Sequence, residues 1–521
     1  MTHRISRAFS VSILIASALL CRAQPNLDAV VESARQRFEA PGIAVAIVKD
    51  GHVVMAKGYG VRKLGDPAPV TPRTLFGIAS NTKAFTAAAL AMLVDEGKLK
   101  WDDPVTMHLP AFQMYDPYVT REMTIRDLLT HRSGLGLGAG DLMYFPPTDL
   151  SREDVMRRVR FVKPSTSLRS RYAYNNLMFV AAGQVVAAVS GKSWDEFIRE
   201  RILTPLQMTD TKTSIRDIPA GADVAWPHAK GDGRMQAVPA SNADNWAAAA
   251  ALNSNVTDVA KWMILQLNLG KNGEKRLFSE AVAREMWTPQ MLVPSREPPK
   301  ELADLKANFA AYGFGWNITE YRGRRLVSHT GGLAGMVTRT TLIPELNLGV
   351  VVLTNHENGN AFNAVTYAVL DHYCGAPATD WVSALEIVQK RRDEAAEKAV
   401  RAAADKRNKE TRPSLARVAY AGRFRDAWYG DVVIEERDGK LRMRFTHSPD
   451  LVGTLEHWQY DTFVARWDNR TLLADAYVTF TLKADGAIDE VKMAAVSSQT
   501  DFSFDFQDLL LKPVSRDAKA Y

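Results

Sequence analysis

Residues 75–97 read LFGIASNTKAFTAAALAMLVDEG, and the fold turns on how this stretch is taken. An apolar run stops at Ser80, an alanine-rich segment of strong helix propensity follows, and Gly97 offers a C-terminal cap. Ser80 and Lys83 then share a helix face, three residues apart, so the amine can approach the hydroxyl. Burial against Phe76, Phe85 and Leu90 would lower the pKa of that amine, which is how a serine acquires a neighbouring base. The same placement puts the Ser80 N–H at a helix N-terminus, where the dipole favours a developing oxyanion. No other Ser-x-x-Lys occurs in the chain. Taken alone, the pattern reads as readily as an N-cap serine followed by a solvated lysine, so other stretches must decide.

Upstream, Asn26 to Glu39 has the pattern of a short amphipathic helix, and Gly42 to Val48 and His52 to Ala56 read as strands around an Asp50-Gly51 turn. Downstream, Pro-punctuated loops alternate with helical stretches such as 124–130 and 177–190, and 247–269 holds a further helix. The segment 286–305 is a loop-rich excursion placed to border a cleft. Strands return at 313–320, 325–329, 337–343 and 349–354, and a helix follows at 361–373. Strands flanking a helical middle predict one α+β domain whose sheet is assembled from both ends. Residues 386–412, rich in Ala, Glu, Lys and Arg, read as a solvated helical linker. Beyond Pro413, alternating strands with Asp438-Gly439 and Asp485-Gly486 turns predict a small antiparallel β domain.

The chain has 521 residues, 46% hydrophobic and 24% charged, ordinary for a globular protein of two or three domains. Its formal charge of +6 is spread out, with no long basic run interleaved with aromatics, so nucleic acid is not an expected partner. The basic residues His3, Arg4 and Arg7, an apolar run over 8–20 and small residues at Cys21 and Ala23 read as a signal peptide cleaved after Ala23. Leu20 is large where a lipoprotein site needs a small residue. The expected mature chain is periplasmic or secreted, without a stable membrane span, and with Cys374 as its one cysteine it forms no internal disulfide.

Two further stretches carry chemistry. Tyr174-Asn175-Asn176 precedes the helix at Leu177. A tyrosine near a lysine ammonium has its phenolate favoured and can pass protons to and from a serine. An asparagine two residues on offers amide donor and acceptor to substrate and lysine. Ser328-His329-Thr330-Gly331-Gly332 ends a predicted strand, and glycines there let a substrate lie along the strand edge and a backbone N–H reach an oxyanion.

In this order, Ser80-x-x-Lys83, Tyr174-x-Asn176 and His329-Thr330-Gly331 resemble the three motifs of the serine β-lactamase and penicillin-binding protein superfamily. The Tyr-x-Asn form is similar to the class C branch, shared with D-alanyl-D-alanine carboxypeptidases, D-aminopeptidases and β-lactamase-like esterases. The resemblance takes in 124–135 (TIRDLLTHRSGL), 312–316 (YGFGW) and 344–355 (PELNLGVVVLTN), and 420–424 (YAGRF) resembles the start of a β domain appended to such hydrolases. It implies an antiparallel sheet flanked by helices beside a helical region, with Ser80 as nucleophile and Lys83 and Tyr174 sharing acid-base work. Asn176, His329, Thr330 and Gly331 would bind substrate, and the N–H groups of Ser80 and Gly332 would form the oxyanion hole. No metal or organic cofactor is implied.

The expected organisation is a signal peptide (1–23), a hydrolase domain (24–375), a charged helical linker (376–413) and a small barrel-like domain (414–521). Since every motif residue precedes Cys374, a chain ending near Arg412 is expected to keep the chemistry. His329 stands where penicillin-recognising relatives usually carry lysine. An unperturbed histidine, with a pKa of about 6.5, attracts a substrate carboxylate weakly, so small esters or D-amino-acid amides and peptides are the expected substrates. The alternatives are a class C-like β-lactamase or D-Ala-D-Ala carboxypeptidase and, from another class, a catalytically silent cell-wall or peptide-binding module. A Gly-x-Ser-x-Gly elbow is absent and His356-Glu357 lacks a second histidine four residues after the first, which disfavours Ser-His-Asp and zinc hydrolases.

Overall fold

The structure is a computed structural model that describes residues 26–514; the signal peptide expected at 1–23 lies outside the described residues. Helix α1 (Leu27–Arg37) is capped by the Asn26 side chain, which accepts from the Ala29 N–H. Strands β1 (Gly42–Lys49) and β2 (His52–Gly60) form the expected hairpin, with Asp50 and Gly51 both at positive φ, as a tight two-residue turn requires. Three helices, α2 (Thr82–Asp95), α3 (Leu177–Ser190) and α4 (Val256–Leu267), dominate the middle. Gly97, at φ +67°, follows α2 where the cap was expected.

Strands β3 (Met291–Leu292), β4 (Ala311–Tyr312), β5 (Asn317–Tyr321), β6 (Arg324–Leu333), β7 (Met336–Ile343) and β8 (Leu348–Thr354) complete an eight-stranded sheet of order β2-β1-β8-β7-β6-β5-β4-β3. The N-terminal hairpin docks on β8, Val45 opposite Val352, so the sheet is assembled from both ends of the domain. Strand β1 shows why GIAVAIV is apolar throughout: Ala44, Ala46 and Val48 face one core and Ile43, Val45 and Ile47 the other. The first core joins the sheet to α2 and α3. The second lies behind the sheet, under α1, α5 (Gly359–Cys374) and α6 (Trp381–Lys406). Among the described residues no single helix is long and apolar enough to cross a membrane.

The helix expected within 247–269 is α4, reached through a one-turn helix, Ala247–Ala250, and a two-residue strand at 253–254 that pairs with Phe76–Gly77. Two expectations need correction. The second half of the 286–305 excursion lies behind the sheet: Leu302 is in the rear core and Glu301 pairs with Arg391 at 2.7 Å. The expected solvated linker is α6, whose first turns are held in that same core. Trp381, Val382, Leu385 and Val388 are buried there, and the Trp381 indole N–H donates to Asp371 at 2.8 Å. Its charges hid four apolar positions at helical spacing.

After α6 the chain builds β9 (Gly422–Asp426), β10 (Gly430–Arg437), β11 (Lys440–Phe445), β12 (Val452–Gln459), β13 (Thr462–Trp467), β14 (Ala476–Leu482), β15 (Ile488–Ala495) and β16 (Lys512–Pro513). They form one antiparallel sheet of order β15-β14-β13-β12-β11-β10-β9-β16. Val491 and Leu511 exchange two backbone hydrogen bonds, of 2.8 and 3.2 Å, and the next residues pair with β9, so the sheet curls into a near-barrel. Phe424, Phe445, Phe463, Trp467, Phe480 and Phe506 are buried in it. The barrel packs on the helical side of the hydrolase domain, where the Arg158 guanidinium donates to the carbonyls of Trp428 (2.9 Å) and Tyr429 (2.5 Å).

Candidate active site

Ser80 lies in a single 3-10 turn, Ala79–Asn81, that leads into α2. Ala79 is buried with φ +48°, a left-handed conformation that costs a non-glycine residue about 1 kcal/mol and holds the serine at the edge of the cleft. The turn is tied down from the sheet: the Asn81 amide donates to Ile78 O (3.2 Å) and Thr338 Oγ1 (2.8 Å). One turn into α2, Lys83 is fully buried, with Nζ 2.9 Å from Ser80 Oγ, 2.7 Å from Asn176 Oδ1 and 3.1 Å from Ala249 O. Desolvation pushes the amine well below its ordinary pKa, with Asp141 pulling the other way. In the neutral amine, two N–H bonds serve the two carbonyl oxygens, and the remaining lone pair faces the Ser80 hydroxyl as its acceptor. The rings above the amine are Tyr174 and Phe179, at 4.9 and 5.4 Å; Phe85, expected there, stacks on Trp262 instead.

Tyr174 reverses the expected ionisation. Burial drives its phenol well above pKa 10, a hydrogen bond with Ser80 pulls the other way, and the phenol keeps its proton. The division is an amine of lowered proton affinity as acceptor and a neutral phenol as donor. Asn176, at the start of α3, makes the expected contact with Lys83. It is buried, its oxygen accepts from Lys83, and its amide donates to Asp141 Oδ2 at 3.0 Å, so it bridges two side chains.

His329 is buried in β6, and both ring nitrogens are used: Nδ1 lies 2.6 Å from Thr330 O and Nε2 lies 2.8 Å from the Tyr312 hydroxyl. Since a carbonyl needs a donor, Nδ1 carries the hydrogen and Nε2 accepts from Tyr312. Burial and then Lys83 push its pKa down to about 3, with only the Thr330 carbonyl opposing, so the ring is neutral. It shapes the wall of the site through Tyr312 and presents no free nitrogen to a ligand, a correction to its expected direct role.

Thr330 and Gly332 are exposed on β6. Strand β5 pairs with β6 only from Arg324 to Ser328, leaving 329–333 with a strand neighbour, β7, on one side alone. That free edge runs beside Ser80. A Cβ on Gly331 would lie 2.3 Å from Ile78 O and 3.0 Å from Ala79 Cβ, whereas one on Gly332 would meet nothing within 4 Å. The glycine requirement therefore falls on Gly331, for close approach of the serine turn, and Gly332 borders open space.

Sequence reasoning gave no role to Asp141, His131 or the barrel loop 502–505. Asp141 is fully buried and accepts from Asn176, from Tyr144 and from Ser503 Oγ (2.9 Å). The Asp505 carboxylate accepts from the N–H groups of Gly140 (2.6 Å) and Leu142 (3.1 Å), and the Phe502 ring stands 6.0 Å from Tyr174, nearly perpendicular. The barrel thus reaches the site, although every motif residue precedes Cys374. His131 sits between the rings of Tyr174 (4.2 Å) and Tyr312 (4.5 Å) and accepts from the Asn175 N–H at 3.1 Å. A cavity of about 400 Å³ lies at the domain junction, between Gly136, Leu137 and Ser165 on one side and Thr500, Phe502 and Phe504 on the other. Ser80 does not line it, and the Phe502 ring in its wall stands beside Tyr174.

A serine, a desolvated lysine, a tyrosine and a free strand edge on this sheet define a β-lactamase-type serine hydrolase site. Residues 27–373 match the family described as Beta-lactamase, and the chain belongs to that family of serine hydrolases. Residues 406–513 match a domain of unknown function, DUF3471. The chain is similar to Unguisins hydrolase ungD' of Aspergillus campestris, at 33% identity over 66% of this chain and 64% of that protein. It is similar to Unguisins hydrolase ungD of Aspergillus violaceofuscus, at 29% identity over 84% and 82%. The first of these matches spans less than two thirds of its relative's length. In fold it is similar to the octameric penicillin-binding protein homologue of Pyrococcus abyssi, with TM-score 0.59 and 23% identity over 93% of this chain and 99% of that one. A class C β-lactamase of Rhodobacter sphaeroides aligns with TM-score 0.53 and 21% identity over 66% and 98%.

Proposed function

We propose that the protein is an exported serine hydrolase that works through an acyl-enzyme on Ser80, acting on small esters or D-amino-acid amides and peptides. The observation that carries this reading is the buried Lys83 amine 2.9 Å from Ser80 Oγ, its N–H bonds taken by two carbonyl oxygens. Ser80 Oγ attacks the carbonyl carbon as its proton passes to Lys83 Nζ, and the N–H groups of Ser80 and Gly332 receive the oxyanion. The Tyr174 hydroxyl donates a proton to the leaving group, and the proton taken up by Lys83 returns to the Tyr174 oxygen. Water then repeats the sequence on the acyl-enzyme, restoring the serine. Substrate choice rests on His329: a neutral, internally bonded imidazole supplies no cation for the carboxylate of a penicillin or a D-Ala-D-Ala terminus. The curated relatives named as hydrolases favour turnover over a silent binding module.

The test is a panel of p-nitrophenyl acetate, D-Ala-p-nitroanilide, a D-Ala-D-Ala peptide and nitrocefin, run with wild type and Ser80→Ala beside fluorophosphonate labelling. The expected result is hydrolysis of the ester or the D-amino-acid anilide, poor turnover of nitrocefin, and loss of activity and label in Ser80→Ala. A tenth of the wild-type rate in that variant would sink the acyl-enzyme mechanism. Export is tested by the N-terminus of protein recovered outside the cytoplasm, expected at Gln24.

A further inference from the structure

Asp141 and Asp505 are carboxylates buried within the protein, and the mechanism above uses neither. Asp505 holds the loop 138–143 in place by accepting two of its backbone N–H groups, and Asp141 is carried on that loop. Asp141 is then gripped from three sides: by Tyr144 of its own turn, by Ser503 of the barrel and by Asn176 of α3. Asn176 passes the constraint on, since its oxygen accepts from Lys83 at 2.7 Å. A single chain of contacts therefore runs from the C-terminal domain to the base: Ser503, Asp141, Asn176, Lys83. A buried carboxylate is costly unless its lone pairs are satisfied, so its retention beside a catalytic lysine asks for a role.

We propose that Asp141, clamped by Ser503 and by the Asp505-held loop, is the positioning residue that fixes Asn176 and sets the charge environment of Lys83, making the β domain part of the catalytic apparatus. The inference rests on Ser80 as nucleophile and Lys83 as its base. The carboxylate aligns the Asn176 amide so that its oxygen is presented to Lys83, and its negative charge holds the proton affinity of the amine up against desolvation. The titratable groups around the pair are Tyr144 and Asp505 beside Asp141, and Tyr174 beside both. His131 and His329, beyond Lys83, are held neutral by burial. Three donors favour the ionised carboxylate while burial opposes it, leaving Asp141 at about 7. Removing one donor disturbs that balance without emptying the site.

The test uses the full chain and a neutral ester, p-nitrophenyl acetate, with kcat and kcat/KM followed across pH. Ser503→Ala should lower kcat by about tenfold with KM nearly unchanged, the scale on which misplaced catalytic groups act, and Ser503→Thr should keep the wild-type rate. Asp141→Asn removes the charge that raises the Lys83 pKa, so the acidic limb of kcat/KM should move down by about one pH unit. In the Asp141→Asn background, Ser503→Ala should have no further effect. Wild-type kcat and pH profile in Ser503→Ala, an unmoved acidic limb in Asp141→Asn, or losses that multiply in the double variant would each overturn the proposal. If Asp141→Asn does not fold, Asp505→Ala, which releases Gly140 and Leu142 and touches nothing in the cleft, must lower kcat in the same way; a wild-type kcat there overturns it. A wild type that is neither active nor labelled by fluorophosphonate defeats the serine mechanism itself. An active wild type with an indifferent Ser503 defeats only this inference.

Discussion

Lys83 exchanges water for two carbonyl oxygens and a hydroxyl, and a charged amine there would be enclosed by aromatic rings with no carboxylate in direct contact. Packing lowers its proton affinity and fits it to act as a base, so Lys83→Ala and Tyr174→Phe should each lower kcat/KM by about a hundredfold or more, the usual scale for general acid-base groups. The two losses should fall short of multiplying, because both side chains serve one proton path. Fully multiplicative losses would separate their roles. His329 makes a different kind of prediction. Its folded pKa, about 3, is depressed below the ordinary 6.5, so its contribution to stability is present above pH 6.5 and lost as the pH falls toward 3. Between pH 7 and pH 4 the wild type should lose on the order of 3 kcal/mol through this group alone. His329→Gln, which can accept from Tyr312 and donate to Thr330 O, should show correspondingly less acid sensitivity in urea unfolding. Equal sensitivity of the two proteins would show that the imidazole is not held as described.

Strand β6 and the serine turn form a unit whose fit depends on one missing methyl group. Gly331→Ala would drive a Cβ against the Ile78 carbonyl, and overpacking of this kind costs typically 1–3 kcal/mol, so a lowered melting temperature and a large loss of kcat are expected. Gly332→Ala, with open space before it, should keep the wild-type melting temperature and act on substrate binding alone. If Gly331→Ala is as stable as Gly332→Ala, the contact is not tight. At this scale the sequence was informative where chemistry is local. Ser80 and Lys83 are three residues apart, Tyr174 and Asn176 two, and 329–332 are consecutive, so each motif declares itself within one turn or one strand. Their ionisation was not legible. The phenolate expected at Tyr174 assumed a cationic lysine, and the lowered proton affinity of Lys83 depends on Ala249 and Asn176, far along the chain. The left-handed φ of Ala79 leaves no mark in the sequence either, since alanine gives no sign of strain.

The near-barrel meets the hydrolase domain beside Tyr174. Phe502 is partly exposed beside Tyr174, and Leu137 is exposed nearby, an apolar rim with a chain of origin in each domain. Phe502→Ala should raise KM for p-nitrophenyl butyrate more than for the acetate, by up to about tenfold given roughly 0.8 kcal/mol per buried methylene. An equal effect on both esters would place the acyl chain elsewhere. None of this was legible in sequence: Phe502, Ser503 and Asp505 sit in a short turn-rich loop without periodicity or motif, and only the docking of two domains brings them to Asp141. The helical character of α6 was readable, whereas its burial was not, because four apolar side chains in a highly charged helix look like noise until the rear face of the sheet is there to receive them. The loop that grips Asp141 also lies just before the segment that closes the barrel between β15 and β9. A ribosome finishes that loop several hundred residues after it has made the serine, so a nascent chain carries its nucleophile long before it carries a finished proton path. On the proposed clamp, the proton path is completed only once the second domain has closed.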